Sequence, residues 1–391
     1  MMTSLVRAAV VGLLAAGACA GAMAQERTTI VAGKMVMPDG TLAEKMGVVI
    51  VNGKIERVAP ASELPAGGEG EYVRIDSAVL SPGLIDVGSS LGAYGNTSET
   101  LNPVDPALSV IDAIDASDRK LSHALRAGIT SVMVTPADTN VVCGAAATVR
   151  TYSSDGRIDA LRTDGPMVFS LGPAVWNADR EPTSRPGSLS LLRMALKEGK
   201  EGKGDTRLSR VVSKKLGAVV KCAAIEDVDG AERTFGEFGV TPVIQHDGDG
   251  VEIAGDIAGE GAMAIVGPLT FTSSARTLSA AAAYSKEGVE VAFCAGTPAG
   301  EGAGLRATAA LAARYGMAPE KARLGMTLTA AKVAGVADRV GSITAGKDAD
   351  LVIFSGDPLR LDARVLGVFV KGTRVYSAPP SDSAKGANHV P

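Results

Sequence analysis

Few side chains in this sequence can do metal, acid–base or thiol chemistry. Only three histidines occur among 391 residues, at positions 123, 246 and 389, and the four cysteines stand at 19, 143, 222 and 294. His246 ends a β-prone run that begins at Thr241, and Cys222 and Cys294 each end another. Three such groups at strand ends could converge as a soft-metal site or a redox pair, since thiolate and imidazole are preferred ligands of zinc-like ions. The simpler reading is that small apolar cysteines, Cys143 included, fill interior space. Asp86 and Asp247 are the candidate general bases, although a carboxylate with neither a metal nor a raised pKa is a weak one. His123 lies two residues after Leu121, off the apolar face of its predicted helix, which makes it a surface residue. His389 belongs to the polar tail. No Ser-His-Asp or Cys-His arrangement occurs at close spacing.

The elements that must position these groups come from a chain that is 46% hydrophobic, with 47 glycines and only 4% aromatics. Its length suits one large domain plus a small one. A net charge of −4 supplies no basic field for a phosphate backbone, which excludes nucleic acid and leaves a small-molecule ligand or a protein partner. The first residues carry a positive region ending at Arg7, an apolar run from Ala8 to Ala18, and Ala22-Met23-Ala24 before the charged Glu26-Arg27. That order predicts a signal peptide over 1–24, cleaved after Ala24, and an exported, periplasmic protein. The run is shorter than the roughly 20 residues of a spanning helix, and no other stretch reads as one, so no membrane contact is expected after cleavage. Cys19 leaves with the signal, and the three remaining cysteines, odd in number and widely spaced, form no disulfide framework.

Residues 28–58 read as hairpin strands around a Met-Pro-Asp-Gly turn and an Asn52-Gly53 turn. From Leu84 onward strand and helix signals alternate, which predicts βα units and a parallel sheet. Ser117 is placed to cap a helix stopped by Gly128, and strands are predicted at 129–134, 218–223, 241–246, 265–268 and 289–294. The segment 365–376 supplies a further hairpin around Lys371-Gly372.

Two separated stretches carry a family resemblance. Ser81 to Gly92, SPGLIDVGSSLG, resembles the signature of the amidohydrolase superfamily, Pro-Gly-Leu-Ile-Asp-X followed by His-X-His on the first strand of a metal-binding barrel. Gly346 to Val352, GKDADLV, looks like the segment that returns the chain to the family's β domain. Between them, Ala-Gly-Ile-Thr-Ser-Val at 127–132 looks like the second strand, and Arg185 to Leu196 resembles a helix entry of the imidazolonepropionase-like branch. The resemblance implies an α/β fold: a (β/α)8 TIM barrel over 82–335 and a small β-sandwich composed of 25–81 and 336–378; the Pro/Ser/Ala-rich composition of the chain's end predicts a disordered tail over 379–391. It implies a hydrolase acting on carbon–nitrogen bonds other than peptide bonds.

The resemblance also places the metal ligands, and the residues there are poor donors. The two histidine positions of strand one are Gly88 and Ser90, and a neutral hydroxyl is a feeble ligand for a borderline-soft cation. The strand-five His-Ala appears as Cys222-Ala223, strand six keeps His246, and the strand-eight Asp falls at Ala295 or Gly296. Arg150 lies where some relatives have a Lys, and a guanidinium cannot be carboxylated. Without basic, fixed ligands no water is activated. The expectations are therefore weak or no hydrolysis, no metal cofactor, and zinc only if other residues rebuild the site. The alternative is an exported non-catalytic binding or partner protein on the same fold. Its pocket would sit at Gly88, Ser90, Cys222, His246, Ala295 and Gly296, filled in by the cysteines, with His246 held by a protein hydrogen bond.

Overall fold

A computed structural model describes residues 26–65, 70–202, 206–246, 248, 250–296 and 303–379. The expected signal peptide, with Cys19, and the tail beyond Pro379 lie outside the described residues. The first four strands are β1 (Arg27–Val36), β2 (Leu42–Val51), β3 (Lys54–Pro60) and β4 (Glu71–Pro82). β1 and β2 pair antiparallel through the Met37–Gly40 turn, and β2 and β3 through Asn52-Gly53, where both residues take the positive φ that this turn requires. Period-two alternation decides what each face buries: Ile30 and Ala32 join one apolar cluster, Val31 the opposite one.

The chain then runs directly into β5 (Leu84–Ser89), which pairs parallel with β6 (Ile129–Val134). β7 (Val142–Ala145) and β8 (Ala147–Arg150) are two halves of one run, antiparallel to their neighbours. β8 pairs with β6, while β7 pairs with β10 (Met167–Ser170), and β9 (Ala160–Arg162) folds back on β8. From β10 the ladder is parallel through β11 (Ala218–Lys221), β12 (Val243–Gln245), β13 (Met263–Val266) and β14 (Glu290–Phe293). β14 lies beside β5, so eight wall positions follow one another: β5, β6, the β7–β8 run, and β10 to β14. Each contributes to a single interior cluster, through Val87, Met133, Cys143, Val168, Val219, Val243, Ile265 and Ala292. The alternate residues, such as Phe169, Val220 and Ile244, face helices, and Phe169 meets Phe235 edge-on at 5.2 Å.

The expected strict alternation of strand and helix fails at the third position, where no helix separates β6 from β10 and the strand runs backwards. The helix Arg119–Arg126 starts one residue later than expected, because the Asp118 carboxylate, and not Ser117, accepts from the Lys120 amide.

The last strands are β15 (Leu351–Phe354), β16 (Val365–Val370) and β17 (Thr373–Ser377). β15 pairs antiparallel with β4, Leu351 opposite Pro82, so both ends of the chain form one seven-stranded ladder in the order β17-β16-β15-β4-β1-β2-β3. Leu351 and Ile353 face that sheet's own core, while Val352 and Phe354 join the cluster between wall and helices. One strand thus seals the joint between the two parts. Among the described residues no helix is long and apolar enough to cross a membrane.

Candidate functional site

The carboxyl ends of the wall strands bring polar side chains together by register. Ser170, Lys221 and Gln245 are successive partners on β10, β11 and β12. Each lies two residues beyond an interior valine, Val168, Val219 or Val243, and therefore faces the same way. They form a polar layer above the apolar interior. Lys221 reaches from the fifth wall position to the second, where its Nζ donates to Thr135 Oγ1 at 3.3 Å. Gln245 reaches from the sixth position toward the first: a β-carbon added at Gly88 would lie 3.3 Å from its Oε1. That oxygen is buried without a hydrogen-bond donor among the described residues.

Gly88 itself has φ +75°, a conformation that a side-chain-bearing residue adopts only with strain. The first expected histidine position is thus shaped for glycine and occupied from across the mouth by a carboxamide. Ser90 is exposed, and Ser89 turns inward, its Oγ accepting from the Leu91 amide at 3.1 Å.

Asp86 is fully buried, and its Oδ1 accepts from the Ala295 amide at 2.8 Å, tying the first wall strand to the end of the eighth. Burial pushes its pKa up to about 7, against the opposing pull of that amide and of the nearby Ser89 hydroxyl. Oδ2 has no hydrogen-bond partner among the described residues. Ala295 is buried and Gly296 half-buried, and neither offers a ligand atom from its side chain. Asp247 lies outside the described residues.

His246 is buried, with Nδ1 2.9 Å from the Cys222 carbonyl oxygen. A carbonyl only accepts, so the proton sits on Nδ1. Among the described residues Cys222, His246 and Cys294 form no group that could hold a metal ion. Cys222 packs in the cluster between wall and helices, whereas Cys294 packs in the interior and donates to the Gly267 carbonyl at 2.7 Å. The expectation that these cysteines fill the space beside Gly88 is likewise replaced by Gln245. Burial drives the Cys222 thiol pKa upward and that of Cys143 to about 12, so both stay protonated and unreactive.

Arg150 is not at the mouth at all. Because β8 runs backwards, its last residue lies at the amino-terminal end of the parallel strands, opposite Ser131. There the fully buried guanidinium meets Asp348 at 2.7 Å, Asp350 at 2.8 Å and Asp159 at 3.2 Å.

The amidohydrolase family profile matches residues 219–375. An amidohydrolase from Thermotoga maritima MSB8 is 26% identical, with a TM-score of 0.79 over 90% of this chain and 100% of that one. The second half of the chain is thus similar to the amidohydrolase family, and nearly the whole chain to the fold of one amidohydrolase. No curated protein sequence matches it. Among more distant folds, a prolidase described from Bifidobacterium longum is 16% identical, with a TM-score of 0.59 over 91% of this chain and 96% of that one. A zinc-bound adenosine deaminase from Xanthomonas campestris is 18% identical, with a TM-score of 0.55 over 92% and 96%.

Amidohydrolases are typically metal-dependent, and the described donors at this mouth are not a metal-ligand set. Among the described residues no three His, Cys, Asp or Glu side chains form a group that could hold a metal ion. The layer holds instead an ammonium, which repels a cation, two hydroxyls and a carboxamide. Lys221 and Gln245 went unremarked in the sequence because each ends an apolar run beside a more conspicuous residue, Cys222 or His246. Register, invisible in one strand alone, turns them inward.

Proposed function

We propose that this amidohydrolase-superfamily chain is an exported, metal-independent binding protein, whose eight wall strands form a (β/α)8-type barrel with a reversed third strand. The observation that carries the reading is the polar layer of Ser170, Lys221 and Gln245 standing where water-activating ligands would be needed. Gln245 blocks the Gly88 position, and Asp86 serves to tie β5 to the Ala295 end. A small-molecule ligand at the mouth is the expected occupant. The competing reading, hydrolysis of carbon–nitrogen bonds other than peptide bonds, draws its support from likeness along most of the chain to a protein described as an amidohydrolase.

Metal content separates the two. Protein purified without chelators should carry far less than one zinc or manganese ion per chain by elemental analysis. The double variant Gly88→His, Ser90→His should gain neither tight metal binding nor hydrolysis of a cyclic amide or imide. Stoichiometric metal, or chelator-sensitive hydrolysis by the unmodified protein, would overturn the proposal.

A further inference from the structure

The charge at the mouth points to the class of ligand. Lys221 is half-buried at the end of β11, in register between Ser170 and Gln245 and within reach of Thr135. Among the described residues its ammonium makes one hydrogen bond, the 3.3 Å contact to Thr135, and no carboxylate lies within ion-pairing distance. An ammonium taken partly out of water without a counter-charge is costly, and natural structures rarely leave one so. Thr135 and Ser170 beside it are almost fully buried hydroxyls, each able to donate.

A second cation lies along the same loop. Residues 135–141 start at Thr135, which Lys221 holds, and near their other end Arg180 Nη2 donates at 2.7 Å to both the Thr139 carbonyl and Asn140 Oδ1. The Nε and Nη1 of Arg180 are buried with no partner among the described residues. Its guanidinium also makes no ion pair there. Two cations with no counter-ion among the described residues thus hold the two ends of one loop at the mouth. Buried donors of this kind are normally satisfied by something, and for cationic donors the natural complement is an anion.

We infer that the mouth is a binding site for a small oxyanion, a carboxylate or a phosphate group, held by Lys221 Nζ and the Thr135 and Ser170 hydroxyls, with Arg180 as the positioning residue of loop 135–141. The inference rests on the metal-independent reading above. The same feature that excludes a metal, the ammonium, selects the opposite charge.

The test is the thermal midpoint of the full chain in acetate, inorganic phosphate or chloride at equal ionic strength. Acetate or phosphate should raise the wild-type midpoint by about 1–2 °C per tenfold concentration above half-saturation, beyond any effect of chloride. Which of the two acts identifies the source as carboxylate or phosphate. Lys221→Met, which keeps the stem and removes the charge, should lose the increment while its midpoint in chloride stays at or above the wild-type value. Lys221→Arg should retain part of it. If Lys221→Met fails to fold, Lys221→Gln takes its place, and an increment unchanged in that variant would sink the inference. So would a wild-type midpoint that acetate and phosphate move no more than chloride. Metal analysis of the same samples keeps the two ideas apart: metal-free protein without an oxyanion effect overturns only this inference, whereas metal-loaded protein overturns the reading beneath it.

Discussion

A carboxyl sealed beneath the mouth, as Asp86 is, contributes to stability with a sign that depends on pH. Its folded pKa is raised from 3.8 to about 7. Between those values the folded chain holds a proton that the unfolded chain has lost, so stability falls as pH climbs through that window and levels off above it. Asp86→Asn keeps an acceptor for the Ala295 amide and removes the titration. The variant should gain stability relative to wild type between pH 5 and pH 8, by roughly 1–3 kcal/mol. Denaturant unfolding at both values measures it, and an equal difference at the two would refute the burial account. At this scale the sequence showed Gly88 and Ser90 at positions where the resemblance expects imidazoles, and where His246 sits. It did not show that Lys221 and Gln245 stand beside each other at the strand ends. Side-chain direction at a strand's last residue depends on the neighbouring strand, which no single run of residues specifies.

Among the elements, the reversed β7–β8 run has the largest effect, because it carries Arg150 away from the mouth and into the joint with the terminal sheet. Asp348 takes Arg339 and Lys54 as well, at 2.7 and 3.2 Å. Burial acts to raise the pKa of Asp348, but the Arg150 and Arg339 guanidiniums outweigh it and hold the carboxyl low. Removing the central cation leaves buried carboxylates uncompensated. Arg150→Leu should therefore cost about 3–5 kcal/mol of unfolding free energy. The exposed pair Arg374–Glu71, at 2.8 Å, gives the contrast: Arg374→Leu should cost under about 1 kcal/mol. Equal losses from the two variants, read from denaturant midpoints, would mean that burial is not what matters. Most wall strands were legible from their apolar runs, and the turns at Met37–Gly40 and Asn52-Gly53 from their residues. The backward strand was not, since hydrophobic pattern carries no direction. One signal was available: residues 135–141 are too few for the crossover that a parallel connection needs, which takes about a dozen or more.

At the scale of the whole molecule, the seven-stranded ladder makes the two ends of the chain interdependent. β15 covers β4, donates Ile353 to the sheet core and presents Phe354 to the wall helices. A chain ending at Gly346 would lose β15 to β17 together with Asp348 and Asp350. It should form oligomers or precipitate rather than run as a monomer, which size-exclusion chromatography reads directly. A monomeric truncated chain with a wild-type unfolding midpoint would show that the ladder is dispensable. The pairing of the flanking segments was legible because neither has enough strands to bury a core alone. Their joining as one continuous ladder was not, because register lies beyond what pattern shows.

The same ladder has a consequence for the growing polypeptide. β4 is made early, and its partner β15 is among the last strands to leave the ribosome. Throughout synthesis the nascent chain therefore carries a strand with a bare edge, an invitation to pair with another copy. The earliest strands to be translated belong to the sheet that is finished last, and a newly made chain would need a chaperone's protection longest at its beginning.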